Sequence, residues 1–180
     1  MRVCVYCGSS PGEDPSFAAN ARAFGAALAR AGIGVVYGGG RVGLMGAVAD
    51  AALEAGGEVI GVIPRFLEER EVAHRGVDLR VVESMHERKH LMSELSDAFV
   101  ALPGGFGTFE EFFEIVTWVQ LRLIEAPCIV ANLGGYYDPL IALIDGAHAQ
   151  GFISTTNRRI VESYANLDEI VTRLSAGRTA

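Results

Sequence analysis

Residues 103–111 read Pro-Gly-Gly-Phe-Gly-Thr-Phe-Glu-Glu and directly follow Ala98–Leu102, an apolar run with the pattern of a buried strand. A strand that ends in three glycines and then opens a helix can bring backbone N–H groups close to an anion. Gly104, Gly105 and Gly107 carry no Cβ to hold a ligand off, and the helix that follows turns its positive end to the same place. Glu111 puts a carboxylate beside whatever the loop holds. The chemistry this suggests is a reaction on a phosphorylated small molecule. A structural explanation competes with it: Thr108 and Glu111 also fit a capping box, in which an N-cap hydroxyl and the third helical residue satisfy each other's backbone donors. That explanation covers two residues without requiring three glycines.

Other residue patterns carry chemistry less securely. His86-Glu-Arg-Lys-His90 matches H-E-x-x-H, the zinc peptidase signature, yet no third ligand stands at a recognised spacing. Arg88 and Lys89 would sit against a dication, and Ser84 with Glu87 forms a second capping box. As a basic pair after a strand, Arg88 and Lys89 are better suited to gripping phosphate or hydroxyl oxygens, with a solvated helix face as the competing explanation. Gly38, Gly40 and Gly43 fit the dinucleotide pattern G-x-G-x-x-G. The acid such a site needs about 20 residues on is not at a strand's end, because Glu58 precedes its strand. A mononucleotide therefore fits better than a dinucleotide, and no Walker lysine is present. Cys4 and Cys7 spell C-x-x-C but lie in or at the end of a strand, where residues three apart face opposite ways. Packing explains them better than redox chemistry does.

These residues need a scaffold, and the chain supplies an alternating one. Strands are expected at Val3–Tyr6, Val35–Tyr37, Val59–Ile63, Leu79–Val82, Ala98–Leu102, Cys128–Ala131 and Arg159–Val161. Helices are expected at Ser16–Arg30, Leu44–Glu54, Met85–Leu95, Phe109–Leu123, Pro139–His148 and Leu167–Leu174. Strands apolar on both faces and alternating with helices predict a doubly wound, Rossmann-like parallel sheet covered on both sides, as one domain over residues 1–180. Ligands bind such sheets at the carboxyl ends of the strands. The turns Gly8–Gly12, Gly38–Gly43 (with Gly39 and Gly40) and 103–108 all fall there. The helix after the third turn is apolar on several sides, with Phe112, Val116, Val119 and Leu123 in one stripe and Ile115 and Trp118 beside it. The excess predicts a second subunit, with a central core helix as the competing explanation.

The formal net charge of −7 argues against nucleic acid or an acidic membrane as partner. No apolar run approaches the ~20 residues that span a bilayer. An odd cysteine count and a first strand starting at Val3 fit a cytoplasmic protein.

Pro103–Glu111 and Met85-His-Glu-Arg-Lys89 are complete versions of P-G-G-x-G-T-x-x-E and M-x-x-R-K. With Gly43-Leu-Met-Gly46 and Gly134-Gly-Tyr-Tyr-Asp138, the chain resembles the LOG (Lonely Guy) family of cytokinin-activating phosphoribohydrolases over nearly its whole length. The resemblance implies hydrolysis of the N-glycosidic bond of N6-modified adenosine 5′-monophosphates, without metal or organic cofactor, by a homodimer. It implies Arg88 and Glu111 as the catalytic pair. Substrate-binding positions carried over are Lys89, Gly104, Gly105, Phe106, Gly107, Thr108, Phe109, Glu110 and Thr117, with Glu71 as a further carboxylate. Met85 or Met92 could supply a flexible wall for the base, with ordinary core packing as the competing explanation, and Gly39 and Gly40 are expected as part of the same ligand edge. The alternative is a nucleotide or molybdenum-cofactor carrier that uses these loops without turnover.

Overall fold

The computed structural model describes residues 1–68, 70 and 72–176. Seven strands form one sheet: β1 (Arg2–Tyr6), β2 (Gly34–Tyr37), β3 (Val59–Pro64), β4 (Asp78–Val82), β5 (Ala98–Ala101), β6 (Cys128–Ala131) and β7 (Val161–Tyr164). All pairings are parallel, in the order β4-β3-β2-β1-β5-β6-β7. The chain builds outward from β1 on one side, then returns to add β5 on the other. This reversal opens a crevice between the carboxyl ends of β1 and β5.

The helices are α1 (Pro15–Arg30), α2 (Gly43–Glu54), α3 (Met85–Glu94), α4 (Phe106–Gln120), α5 (Asp138–Ala149), α6 (Thr155–Arg158) and α7 (Leu167–Ala176). Alternate strand residues feed two separate cores, as the two-residue period of a strand requires. Val3, Val5, Val35 and Val100 pack on one face with Phe24, Leu28, Val48, Ile170 and Leu174 of α1, α2 and α7. Cys4, Tyr6, Val36, Phe99 and Val130 pack on the other with Met92, Phe112, Ile115 and Ile144 of α3, α4 and α5. Cys4 and Cys7 fall in different cores, on opposite faces of the sheet, and Cys4, Cys7 and Cys128 are all free thiols. Glu58 lies at the opposite end of the sheet from the crevice, paired with Arg2 at 2.9 Å. Among the described residues no helix is long and apolar enough to cross a membrane.

Two elements depart from the sequence expectation. The last strand is Val161–Tyr164 rather than Arg159–Val161, because the short helix α6, capped by the Ser154 hydroxyl, occupies the preceding residues. The helix expected at Phe109–Leu123 is α4, shifted toward its N-terminus. It begins at Phe106 with Gly105 as N-cap, and it stops at Gln120. Arg122 there takes a left-handed conformation, φ 59°, and the Leu123 N–H turns back to the Trp118 carbonyl at 2.9 Å. Ile115, expected beside the apolar stripe of this helix, is 2 % exposed and belongs to the core. The apolar residues α4 and its end leave in solvent are Phe106, Phe113, Leu121 and Leu123.

Candidate active site

The crevice is closed by backbone stitches between loops far apart in sequence. The Gly8 N–H donates to the Pro103 carbonyl at 3.0 Å, and the Leu44 N–H donates to the Gly8 carbonyl at 3.0 Å. The turns after β1, β2 and β5 thus meet at one edge. Gly104 sits where two of them press together: a Cβ there would collide with the Thr108 hydroxyl and lie 2.8 Å from the Gly8 nitrogen. Between the turns lies a cavity of about 310 Å³ whose wall includes Ser9, Gly38, Met85, Arg88, Gly105, Gly107, Thr108, Glu110 and Glu111.

Arg88 is 5 % exposed, and a buried guanidinium is tolerable only when its donors are met. Its Nε donates to the Val62 carbonyl at 3.1 Å and its Nη2 to the Gly38 carbonyl at 2.8 Å. Met85 Sδ lies 3.8 Å from Nη1. The backbone ends of β2 and β3 therefore fix the cation in the cavity wall. Gly38 permits this, since a Cβ there would occupy the place of Nη2. The other end of the arrangement is the cap of α3: the Ser84 hydroxyl accepts from the Glu87 N–H at 3.1 Å, and the Glu87 carboxylate accepts from the Glu83 N–H at 2.8 Å. Glu87 is thereby accounted for as a helix cap. His90 lies beside Glu94 at 3.4 Å, both exposed. Among the described residues no group of three or more His, Cys, Asp or Glu is placed to hold a metal ion.

Glu111 faces the same cavity from α4. The capping-box explanation of this residue fails, because the helix starts three residues earlier than the pattern suggests. Gly105 is the N-cap and makes no side-chain cap, Thr108 is the third helical residue, and Glu111 falls in the second turn. The Glu111 charge reaches the end of β1: burial first, and then that charge, pushes the Cys7 thiol far up. Burial, Cys4 and Glu111 together hold the Tyr6 phenol well above its ordinary value. Cys7 lines the cavity, but as a protonated thiol it is no nucleophile.

Not every expected residue reaches the cavity. Lys89 turns away from Arg88 and bridges α3 to α4, its Nζ 2.6 Å from Glu110 and 3.1 Å from Glu114. Burial alone would lower its pKa; the two carboxylates more than reverse that and raise it above the ordinary lysine value. Thr117 is exposed two turns further along, its hydroxyl donating to the Phe113 carbonyl at 2.7 Å. Phe109 packs edge-on against Tyr137, with ring centroids 6.4 Å apart, whereas Phe106 does line the cavity, at its rim and almost wholly exposed. Gly39 and Gly40 are clasped instead by the chain after η-turn residues Arg65–Leu67. The His74 N–H donates to Gly39 at 2.9 Å, and Gly40 bridges Ala73. Glu71 lies outside the described residues. Gly38 of the second glycine turn lines the cavity too, with Ser9, Met45 and Leu67, which were not expected as site residues. Gly38 and Ser9 were visible as members of the two glycine turns, whereas nothing local to Leu67 marks it.

Residues 45–174 match the family described as "Possible lysine decarboxylase". The chain is 51 % identical over 158 residues to a cytokinin riboside 5′-monophosphate phosphoribohydrolase of Rhodococcoides fascians, covering 87 % of this chain and 80 % of that one. It is 47 % identical over 174 residues to the enzyme LOG of Oryza sativa subsp. japonica, which carries the same name, covering 96 % and 72 %. Among solved structures, the molybdenum cofactor carrier protein of Chlamydomonas reinhardtii superposes with a TM-score of 0.73, covering 99 % of this chain and 98 % of that one. At 19 % identity that likeness concerns the fold alone. By the extent of the family match and the identity to these enzymes across most of its length, the chain belongs to the LOG family.

Proposed function

We propose that this protein hydrolyses the N-glycosidic bond of cytokinin riboside 5′-monophosphates, releasing the free base and ribose 5-phosphate. The observation that carries the reading is the meeting of Arg88, Glu111 and the open N-terminus of α4 in one cavity. An α-helix leaves its first four N–H groups without intrahelical acceptors and its dipole favours an anion there. A Cβ added at Gly105 or Gly107 would meet nothing within 4 Å. Protein packing therefore does not demand glycine at these positions; a phosphate lying on the backbone would.

With the phosphate anchored, the ribose extends toward Arg88 and Glu111. Cleavage of the glycosidic bond builds positive charge on the sugar. Glu111 stabilises that charge and orients the attacking water, whose oxygen joins the anomeric carbon as the bond to the base nitrogen breaks and a proton passes to the base. Arg88, immobilised by two carbonyls, holds the ribose hydroxyls. Remote phosphate binding energy positions the anomeric carbon. Lys89 acts at one remove: by pairing with Glu110 and Glu114 it draws α3 to α4, and so sets the spacing of Arg88 and Glu111. In this reading Glu71 is a further substrate carboxylate, Met85 borders the base, and no step calls for a metal or organic cofactor.

The protein is further proposed to work in the cytoplasm as a homodimer, with Phe113, Leu121 and Leu123 covered by a second copy. A monomer mass by light scattering at micromolar concentration would sink the dimer. The activity itself is tested by incubating purified protein with isopentenyladenosine monophosphate and with AMP. Chromatography should show free base from at least the former; retention of the nucleotide with no base released would overturn the reading.

A further inference from the structure

Two consecutive tyrosines reach the Pro-Gly-Gly turn from outside the cavity. The Tyr137 hydroxyl donates to the Leu102 carbonyl at 2.7 Å and the Tyr136 hydroxyl to the Gly104 carbonyl at 2.6 Å. The carbonyl between them, that of Pro103, is taken by the Gly8 N–H. Three successive carbonyls are thus tied back. A peptide unit is planar and trans, so its N–H points opposite to its C=O. Holding the Gly104 carbonyl toward Tyr136 therefore aims the Gly105 N–H the other way. Without that bond, a Gly-Gly peptide is the one most free to rotate. A rotated peptide would present a carbonyl oxygen where an anion needs a donor.

The tyrosines are themselves held. The Asn132 side chain accepts from the Tyr137 N–H at 2.7 Å and donates to Asp138 at 2.7 Å. Tyr136 stacks edge-on between Phe17, at 5.6 Å, and Tyr137, at 5.0 Å. Tyr137 is buried, and burial raises its pKa far above the phenol's ordinary value, which keeps the hydroxyl a donor.

We propose that Tyr136 and Tyr137 are positioning residues for the phosphate-binding turn, latching its carbonyls outward so that its N–H groups face the cavity. The inference rests on the reading of Gly104–Thr108 as the phosphate site, and the test separates the two. In Tyr136→Phe, KM for isopentenyladenosine monophosphate should rise about tenfold with kcat within about twofold of wild type, the signature of lost uniform binding. Ribose 5-phosphate affinity by calorimetry should fall by the same factor, and the ¹⁵N order parameter of Gly105 should drop. Tyr137→Phe should act in the same direction; if it fails to fold, Tyr136→Phe decides alone. Unchanged Gly105 order in folded Tyr136→Phe overturns the latch, as does a loss in kcat with unchanged KM. If wild type binds ribose 5-phosphate but releases no base, the proposed reaction falls, while weakened ribose 5-phosphate binding in Tyr136→Phe still upholds the latch.

Discussion

The turns after β2 and after β5 are both rich in glycine, and both lead straight into a helix whose N-cap offers no side-chain hydrogen bond. They differ in what fills the space beside them. In the β2 turn a Cβ on Gly38 would run into Arg88, and one on Gly43 into the Ser9 backbone. In the β5 turn, Gly105 and Gly107 look onto open space. The first turn is glycine-rich because protein occupies it; the second has glycines that protein contacts leave unexplained. A glycine motif read as letters does not distinguish these cases, and only the second leaves glycines facing open space.

If the open turn reads phosphate, removing the phosphate should have the largest effect. Two or three charge-assisted hydrogen bonds at ~1.5–3 kcal/mol each predict that isopentenyladenosine is cleaved with kcat/KM lower by about three orders of magnitude or more than its monophosphate. Comparable efficiencies on the two would show the turn to be unused. Next in size, Glu111→Gln and Arg88→Ala should each lower turnover at least ~100-fold, the usual loss for a positioned acid–base or electrostatic group. Circular dichroism should show the Glu111→Gln protein still folded, because Glu111 lies in the second turn of α4, away from its N-cap; near-normal turnover in it would remove the carboxylate from the mechanism.

The smallest pair of effects cuts directly between the turns. Gly38→Ala should destabilise the fold by about 1–3 kcal/mol, as overpacking does, and displace Arg88. Gly105→Ala should change stability by less than ~1 kcal/mol yet weaken ribose 5-phosphate binding. Thermal melts alongside calorimetry give both readings. If the alanine at 105 melts the protein and the one at 38 does not, the contrast between the turns is wrong.

Much of this was legible in the linear chain because apolar runs mark buried strands regardless of context. Cys128–Ala131 is a strand at the expected bounds. Helix starts were harder. With Thr108 and Glu111 three apart, the eye supplies a cap, but a glycine N-cap leaves no side-chain signal, and α4 starts at Phe106. The edge strand β7 carries Glu162 and Ser163, polar residues tolerated only because one side of it faces solvent, so its pattern is weak. Arg88 and Lys89 show the limit most plainly. Adjacent residues on a helix point about 100° apart, and nothing in the letters R-K says which points to the cavity and which to the Glu110–Glu114 face. Tyr136 and Tyr137 were visible only within the Gly134–Asp138 segment, and nothing in it shows that their hydroxyls reach the Gly104 and Leu102 carbonyls.

The pairing of β1 with β5 also sets when the site can exist. The Arg2 N–H bonds Asp97 across 95 residues, and Arg88 and Glu111 lie on opposite sides of that junction. A chain emerging from the ribosome holds its cation long before its carboxylate, with no crevice between them. The closing of so long a loop costs entropy that grows only slowly with length, but non-local pairing of this kind is slow. By the proposed mechanism, no length of chain short of the fourth helix holds both groups.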